Sequence, residues 1–280
     1  MNTTNRDNKY KNLRRVYGLK HEDNYLGLSL SKIVDPDLIF DNFISGTENS
    51  KAKEIVYNYS DKYESYDKPL LIYGSTGNGK SYLLNALAAH VLDKNPNCRI
   101  AFISTYDFID AIIKTQSHDT IAKFIDSFKG IDLLLFDDIQ LLFEHKSVYQ
   151  DVLCTIVDNL IRNSKKICFT SNDNTNDIEG LDKRILSVIK QANIVYISKP
   201  YYETRLRIIT QDIVQDIQGI KFDDEAISFI ASKFSDSVRL AEKALMRTVL
   251  YCLDFSFKDT DRRINHVTLS VAEKALEPML

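Results

Sequence analysis

A chain of 280 residues with 44% hydrophobic residues has the material for one large core or two modest ones. Its 36 Lys and Arg against 39 Asp and Glu give a net charge of -3, which excludes a global basic field that binds duplex DNA by charge alone, so any nucleic-acid contact has to be local. Cys98, Cys154, Cys168 and Cys252 form no C-x-x-C pair and read as buried reduced thiols; the five histidines lack metal-ligand spacing, and no apolar run or leader resembles a membrane span or signal peptide, which together predict a cytoplasmic protein.

Residues 1–37 are expected to be an arm and linker. The first twenty are polar and locally basic (Arg6, Lys9, Lys11, Arg14, Arg15, Lys20), with Tyr10 and Tyr17 interleaved. They read either as a solvated arm or as an arm that touches nucleic-acid phosphates while the tyrosines stack on bases. The apolar stretch Tyr25-Leu26-Gly27-Leu28-Ser29-Leu30 is a docking peptide or an extended segment lying on the folded part.

From Leu38 the pattern becomes that of an α/β domain, residues 38–199. Ser50 to Tyr66 reads as a helix, Leu70 to Tyr73 as a strand, and Leu83, Leu84, Leu87, Ala88 and Val91 as one face of a helix that stops near Asn95-Pro96. Arg99 to Ser104 is a strand, and two amphipathic helices fill Tyr106 to Phe128. Ile131 to Phe136 is a strand, Leu153 to Ile161 part of a helix, and Lys166 to Ser171 a strand. A short helix over Leu181 to Ile189 precedes a last strand, Ile194 to Ile197. Strands alternating with helices predict a parallel, doubly wound sheet whose ligands bind beyond the carboxyl ends of the strands. After Pro200 the strand signals stop, and residues 200–280 are expected to form a small all-helical domain. Its last helix is placed near Thr268 or Ser270, with Ser270 and Glu273 at capping-box spacing.

Gly74-Ser75-Thr76-Gly77-Asn78-Gly79-Lys80-Ser81, followed by Tyr82, fits the phosphate-binding loop G-x-x-x-x-G-K-[ST] between a buried strand and a helix. Its glycines let successive N–H groups face phosphate oxygens at a helix N-terminus. Lys80 is expected to reach the β- and γ-phosphates and Ser81 to ligate Mg²⁺. Leu133-Leu134-Leu135-Phe136 then delivers Asp137 and Asp138 to a strand end, the Walker B pattern, with Asp137 on Mg²⁺ and Asp138 on the attacking water. Asn172, after the next strand, can hold that water or simply form a turn. Arg239 on the third helix of the small domain reads, taken alone, as a surface residue.

Together these pieces resemble the AAA+ ATPases and, among them, the bacterial replication-initiator (DnaA) family. Phe40-Asp41-Asn42-Phe43 with Gly46 resembles that family's opening motif, Asp137-Asp138-Ile139-Gln140 its Walker B extension, and Val238-Arg239 with Glu242, Ala244, Leu245 and Arg247 its sensor 2 helix. The resemblance implies that the small domain is a lid, that Arg239 swings from it onto the γ-phosphate, and that Asn172 is sensor 1. It also implies that the helices from Tyr106 to Phe128 line a channel for single-stranded DNA in an ATP-bound oligomer, with Ile113, Lys114 and the post-Walker B Lys146 as contacts. Phe108, Phe124 and Phe128 are expected to pack inside their own domain.

The chain also departs from that family. It ends at Leu280 with no duplex-reading helix-turn-helix domain. Val188 occupies the arginine-finger position, leaving Arg184 or Lys190 to substitute, and His145, Lys146 and Ser147 replace a more basic run. The implied function is ATP binding with slow hydrolysis, ATP/ADP and Mg²⁺ as cofactors, in replication initiation or its regulation. Expected partners are further copies of itself, a full-length initiator, a helicase or a sliding clamp, together with single-stranded DNA. A resemblance to Hda-like regulators and to helicase-loader adaptors that hydrolyse little leaves two alternatives open.

Overall fold

In the computed structural model, which describes residues 34–114, 118–143, 147–172, 180–216, 219–258 and 265–280, the sheet is built around β1, Leu70–Tyr73. Its apolar run has no polar alternation because both faces are covered. Leu70 and Ile72 join one buried cluster, and Leu71 joins another on the opposite face. Around it lie β2 (Ile100–Ser104), β3 (Leu133–Asp137), β4 (Lys166–Ser171) and β5 (Asn193–Tyr196), all parallel, in the order β2-β3-β4-β1-β5. This is the mixed α/β class with a parallel doubly wound sheet expected from the sequence. The order reverses at β1, whose neighbours β4 and β5 both come later in the chain. Ligands of such sheets bind at the carboxyl ends beside that reversal.

Five helices of this unit follow the apolar periodicity: α1 (Ser50–Asp61), α2 (Lys80–Lys94), α3 (Thr105–Lys114), α4 (His118–Ser127) and α5 (Ser147–Arg162). α2 packs into the cluster of Leu70 and Ile72, while α3, α4 and α5 pack into that of Leu71. Phe108, Phe124 and Phe128 are buried in the latter and touch ring to ring, as expected. β5 closes the sheet as an edge, burying Val195 and leaving Ile194 and Tyr196 exposed. The cysteines are all free and buried, and desolvation pushes their thiols up, Cys98 to about 11 and Cys154 to about 12.

α6 (Lys183–Lys190) is capped by Asp182, whose side chain accepts the Arg184 backbone N–H at 2.8 Å and the Arg184 Nε at 3.0 Å. Arg184 also donates to Asp151 at 2.6 Å. The Arg184 guanidinium, then its N–H, hold the Asp182 carboxyl down at about 2. A depressed carboxylate pKa stabilises the fold above the ordinary value near 4, and that contribution fades as pH falls towards 2. Asp182→Ala is therefore expected to cost about 1 kcal/mol at pH 7, with the difference from wild type shrinking between about pH 4 and pH 2. Urea unfolding midpoints across that range measure it; a gap independent of pH would remove the capping account.

The chain divides into two compact units. The first takes Lys51–Gly74 and Lys80–Ile197 together with residues 34–43, and the second takes Ile44–Ser50, Ser75–Gly79 and Ser198–Leu280. Within the second, α7 (Tyr202–Asp216), α8 (Asp224–Lys233), α9 (Val238–Lys258) and α10 (Leu269–Leu276) enclose Ile209, Ile230, Phe234, Ala244 and Leu276. This unit is not all-helical. β6 (Lys221–Phe222) and β7 (His266–Val267) pair in parallel, with Lys221 opposite His266 and Phe222 opposite Val267. Two-residue strands are too short to register as a period-2 pattern, which is why the sequence reads as helices alone. The last helix begins at Thr268, one of its two expected starts, but without the expected capping box. Its N-cap is Thr268, extended at φ -83° and ψ 168°, and Ser270 lies inside the first turn, so no Ser270–Glu273 capping box forms. Among the described residues, no helix is long and apolar enough to cross a membrane.

Candidate nucleotide-binding site

The loop after β1 leaves the sheet through Gly74. Its N–H donates to the Ser171 carbonyl at 3.2 Å, tying it to the end of β4. Gly74 has φ +150°, and a Cβ placed there would lie 2.1 Å from the Ile197 carbonyl oxygen. Only glycine lets the chain turn this close to a neighbouring backbone. The loop ends where α2 begins at Lys80.

Lys80 is 5% exposed, and its ammonium donates to the Gly74 carbonyl and to Asn172 Oδ1, each at 2.7 Å. A cation out of water requires such oxygens around it, and here they come from just beyond the carboxyl ends of the paired strands β1 and β4. Ser81, one residue on, donates its hydroxyl to Asp137 Oδ1 at 3.0 Å. Asp137 is 2% exposed at the end of β3 and also accepts the Thr170 hydroxyl at 2.7 Å. Lys80, Ser81, Asp137 and Asn172, called separately from the sequence, thus meet at the carboxyl ends of β1, β3 and β4. A hydroxyl and a carboxylate in contact form an all-oxygen donor set that suits Mg²⁺ arriving with phosphates. Among the described residues no group of three or more His, Cys, Asp or Glu could hold a metal by itself.

Asp138 is left-handed, at φ 60° and ψ 49°, an uncommon conformation that aspartate tolerates better than most residues. Thr105 holds it there, its hydroxyl bonding the carbonyls of Asp137 at 3.2 Å and Asp138 at 2.8 Å. The Asp138 N–H donates to Thr170 Oγ1 at 2.8 Å. Gln140 Nε2 donates to Asp138 Oδ1 at 3.1 Å, and Gln140 Oε1 accepts the Asn172 N–H at 3.1 Å. Thr105 and Thr170 escaped the sequence reading because nothing in a strand or at a helix start marks a threonine as an anchor. Gln140 entered it only through resemblance.

Tyr82 lies outside the loop, its hydroxyl 3.4 Å from the Asp37 and Ile39 carbonyls and its ring edge-on to Phe43. In the second unit, the Arg239 N–H approaches the Gly77 carbonyl at 3.4 Å. Gly77 has φ +80°, and a Cβ there would meet Ser237 at 2.9 Å and Arg239 at 3.0 Å. Asn78 is 3% exposed, and its Oδ1 has no partner among the described residues.

Of the expected DNA contacts, Ile113 is exposed on α3, and Lys114 is ion-paired with Asp110 one turn away. Lys146 and His145, and the arm with Arg14 and Arg15, lie outside the described residues. Val188 is partly buried against the cluster of Leu71, Arg184 is held by Asp182 and Asp151, and Lys190 is exposed.

A family model described as the bacterial DnaA ATPase domain matches residues 34–196. The chromosomal replication initiator protein DnaA of Streptococcus equi subsp. zooepidemicus is 32% identical over 244 residues, 87% of this chain and 52% of that protein. The chain thus spans about half the length of the curated relatives it matches. Among solved structures, domain III of the Thermotoga maritima initiation protein DnaA aligns with a TM-score of 0.75 at 24% identity, covering 88% of this chain and 98% of that one, and bears on the fold. A replication initiator DnaA bound to AMPPCP and single-stranded DNA aligns with a TM-score of 0.66 at 26% identity, covering 81% of this chain and 69% of that one. With an AAA+ fold, a phosphate loop and a Walker B strand on one sheet edge, the chain belongs to the bacterial DnaA ATPase-domain family.

Proposed function

We propose that the chain is an ATP-binding, slowly hydrolysing switch of DNA replication initiation or its regulation, working in the cytoplasm. The observation that carries this reading is the convergence of Lys80, Ser81, Asp137 and Asn172. Residues 74–82 wrap the triphosphate, and Lys80 turns from its present acceptors towards the β- and γ-phosphates. Ser81 and Asp137 would hold Mg²⁺, which draws charge from the phosphates when bound. Asp138 accepts a proton from the attacking water as the water oxygen bonds the γ-phosphorus and the bridging bond to the β-phosphate breaks, giving ADP and phosphate. Asn172 senses the γ-phosphate, and Arg239, carried by the 200–280 lid, adds positive charge to it. A solved relative holds AMPPCP and single-stranded DNA together, which supports an ATP-gated strand contact through Ile113, Lys114 and Lys146. Lys114 shares its charge with Asp110, so that contact is weak and salt-sensitive.

The position of Val188 favours a second reading, an adaptor that binds ATP, hydrolyses little and works by protein contact with an initiator, helicase or clamp. The Arg184 guanidinium is shared between two carboxylates of its own chain, which disfavours it as a replacement finger. Turnover measured as protein concentration rises separates the two. The switch reading expects slow hydrolysis that falls about 100-fold or more in Asp138→Asn with ATP affinity retained. Tight ATP binding with no turnover at any concentration selects the adaptor.

A further inference from the structure

The Gln140 carboxamide joins two halves of the nucleotide centre. Gln140 lies two residues past Asp138, in the 3-10 turn Ile139–Leu142, and is 9% exposed. Both ends of its carboxamide are engaged, Nε2 with the Asp138 carboxylate and Oε1 with the Asn172 backbone, each at 3.1 Å. A carboxamide carries a donor and an acceptor on one rigid plane, and from a turn after β3 the longer Gln side chain spans to the residue beyond β4. Asp138 needs such a hold. Its left-handed backbone is fixed by Thr105 and Thr170, but among the described residues Gln140 is the group that fixes its carboxylate.

We infer that Gln140 is a positioning residue for hydrolysis, aiming the Asp138 carboxylate and coupling it to the strand end where Asn172 meets Lys80. The inference rests on the reading of Asp138 as the group that faces the attacking water. One Asp138 oxygen is occupied by the amide, which leaves Oδ2 to accept the water proton. A shift of Asn172 when it leaves Lys80 is transmitted through a single planar group to the base.

The test compares the full chain with Asp138→Asn, Gln140→Met and Gln140→Glu, measuring ATP Kd and kcat for each. Gln140→Met keeps length and packing but neither hydrogen bond. It is expected to bind ATP within about threefold of wild type and to lose 10- to 100-fold in kcat, the range expected when a reacting group is left about 1 Å out of place. Gln140→Glu keeps an acceptor for Asn172 and puts a second carboxylate beside the first. The two carboxylates repel, so Asp138 loses its hold although Asn172 keeps its own, and kcat is expected to fall as in Gln140→Met with ATP Kd again within about threefold. A Gln140→Met protein with wild-type kcat, a loss of kcat matched by loss of ATP binding, or wild-type kcat in Gln140→Glu overturns the inference while an inactive Asp138→Asn leaves the reading of the site standing. Absent turnover in wild type, or Asp138→Asn as fast as wild type, removes both.

Discussion

Lys80→Met is expected to weaken nucleotide binding by orders of magnitude while leaving the chain folded. Lys80 is 5% exposed, and its ammonium donates to the Gly74 carbonyl and Asn172 Oδ1. Burying a cation costs several kcal/mol of hydration that its hydrogen-bond partners offset in part, so methionine of similar length relieves that penalty while leaving those acceptors unserved. These effects oppose each other, and the thermal midpoint without nucleotide is expected to move by only a few degrees. Binding is different. A triphosphate that loses its buried lysine loses about 2–5 kcal/mol of charge-assisted contact, about one and a half to three and a half orders of magnitude in Kd. Wild type at 100 times Kd gains about 2.7 kcal/mol from the ligand, and the variant gains about 1 kcal/mol or less at the same concentration. Thermal shift with and without ATP reads both quantities. An unchanged ATP-induced shift would remove Lys80 from the phosphate site, whatever the basal midpoint does.

What the sequence disclosed and what it hid follow from how far apart the interacting residues are. The continuous apolar runs at Leu70 and Leu133 announce covered parallel strands, and the glycine spacing from 74 to 79 announces a phosphate loop, because each is a local pattern. Asp137, Asp138 and Asn172 could be placed at strand ends for the same reason. The bonds that join them could not, since Thr170 to Asp137 and Gln140 to Asn172 each cross more than thirty positions and depend on the order β2-β3-β4-β1-β5. The pairing of β6 with β7 was hidden for a related reason, as two residues carry no period and their partners are far apart in the chain. At the last helix, Ser270 and Glu273 have the right spacing, but the extended backbone of Thr268 sets the start two residues earlier. Tertiary continuity with β7 overrides a local signature there.

Gly74→Ala is expected to damage folding itself, because the position meets two separate objections to a side chain. At φ +150° an L-residue is strained, at a cost of about 1–3 kcal/mol. The added methyl would also lie 2.1 Å from the Ile197 carbonyl and 2.9 Å from its Cγ2. Neither neighbour can yield cheaply. Ile197 is fully buried, and its own N–H donates to the Tyr73 carbonyl at 2.8 Å, so moving it breaks the link between the ends of β1 and β5. Overpacking of this kind adds about 1–3 kcal/mol, and the two costs together are a large part of the 5–15 kcal/mol that stabilises an ordinary domain. The same substitution displaces the Gly74 carbonyl that Lys80 donates to, so nucleotide binding should fall with stability rather than independently of it. Urea unfolding with ATP titrated in parallel distinguishes this from the lysine variant: Lys80→Met loses binding at near-wild-type stability, whereas Gly74→Ala loses both. Wild-type stability in Gly74→Ala would show that the chain can leave the sheet by another path, and that the close approach to Ile197 is not what requires glycine.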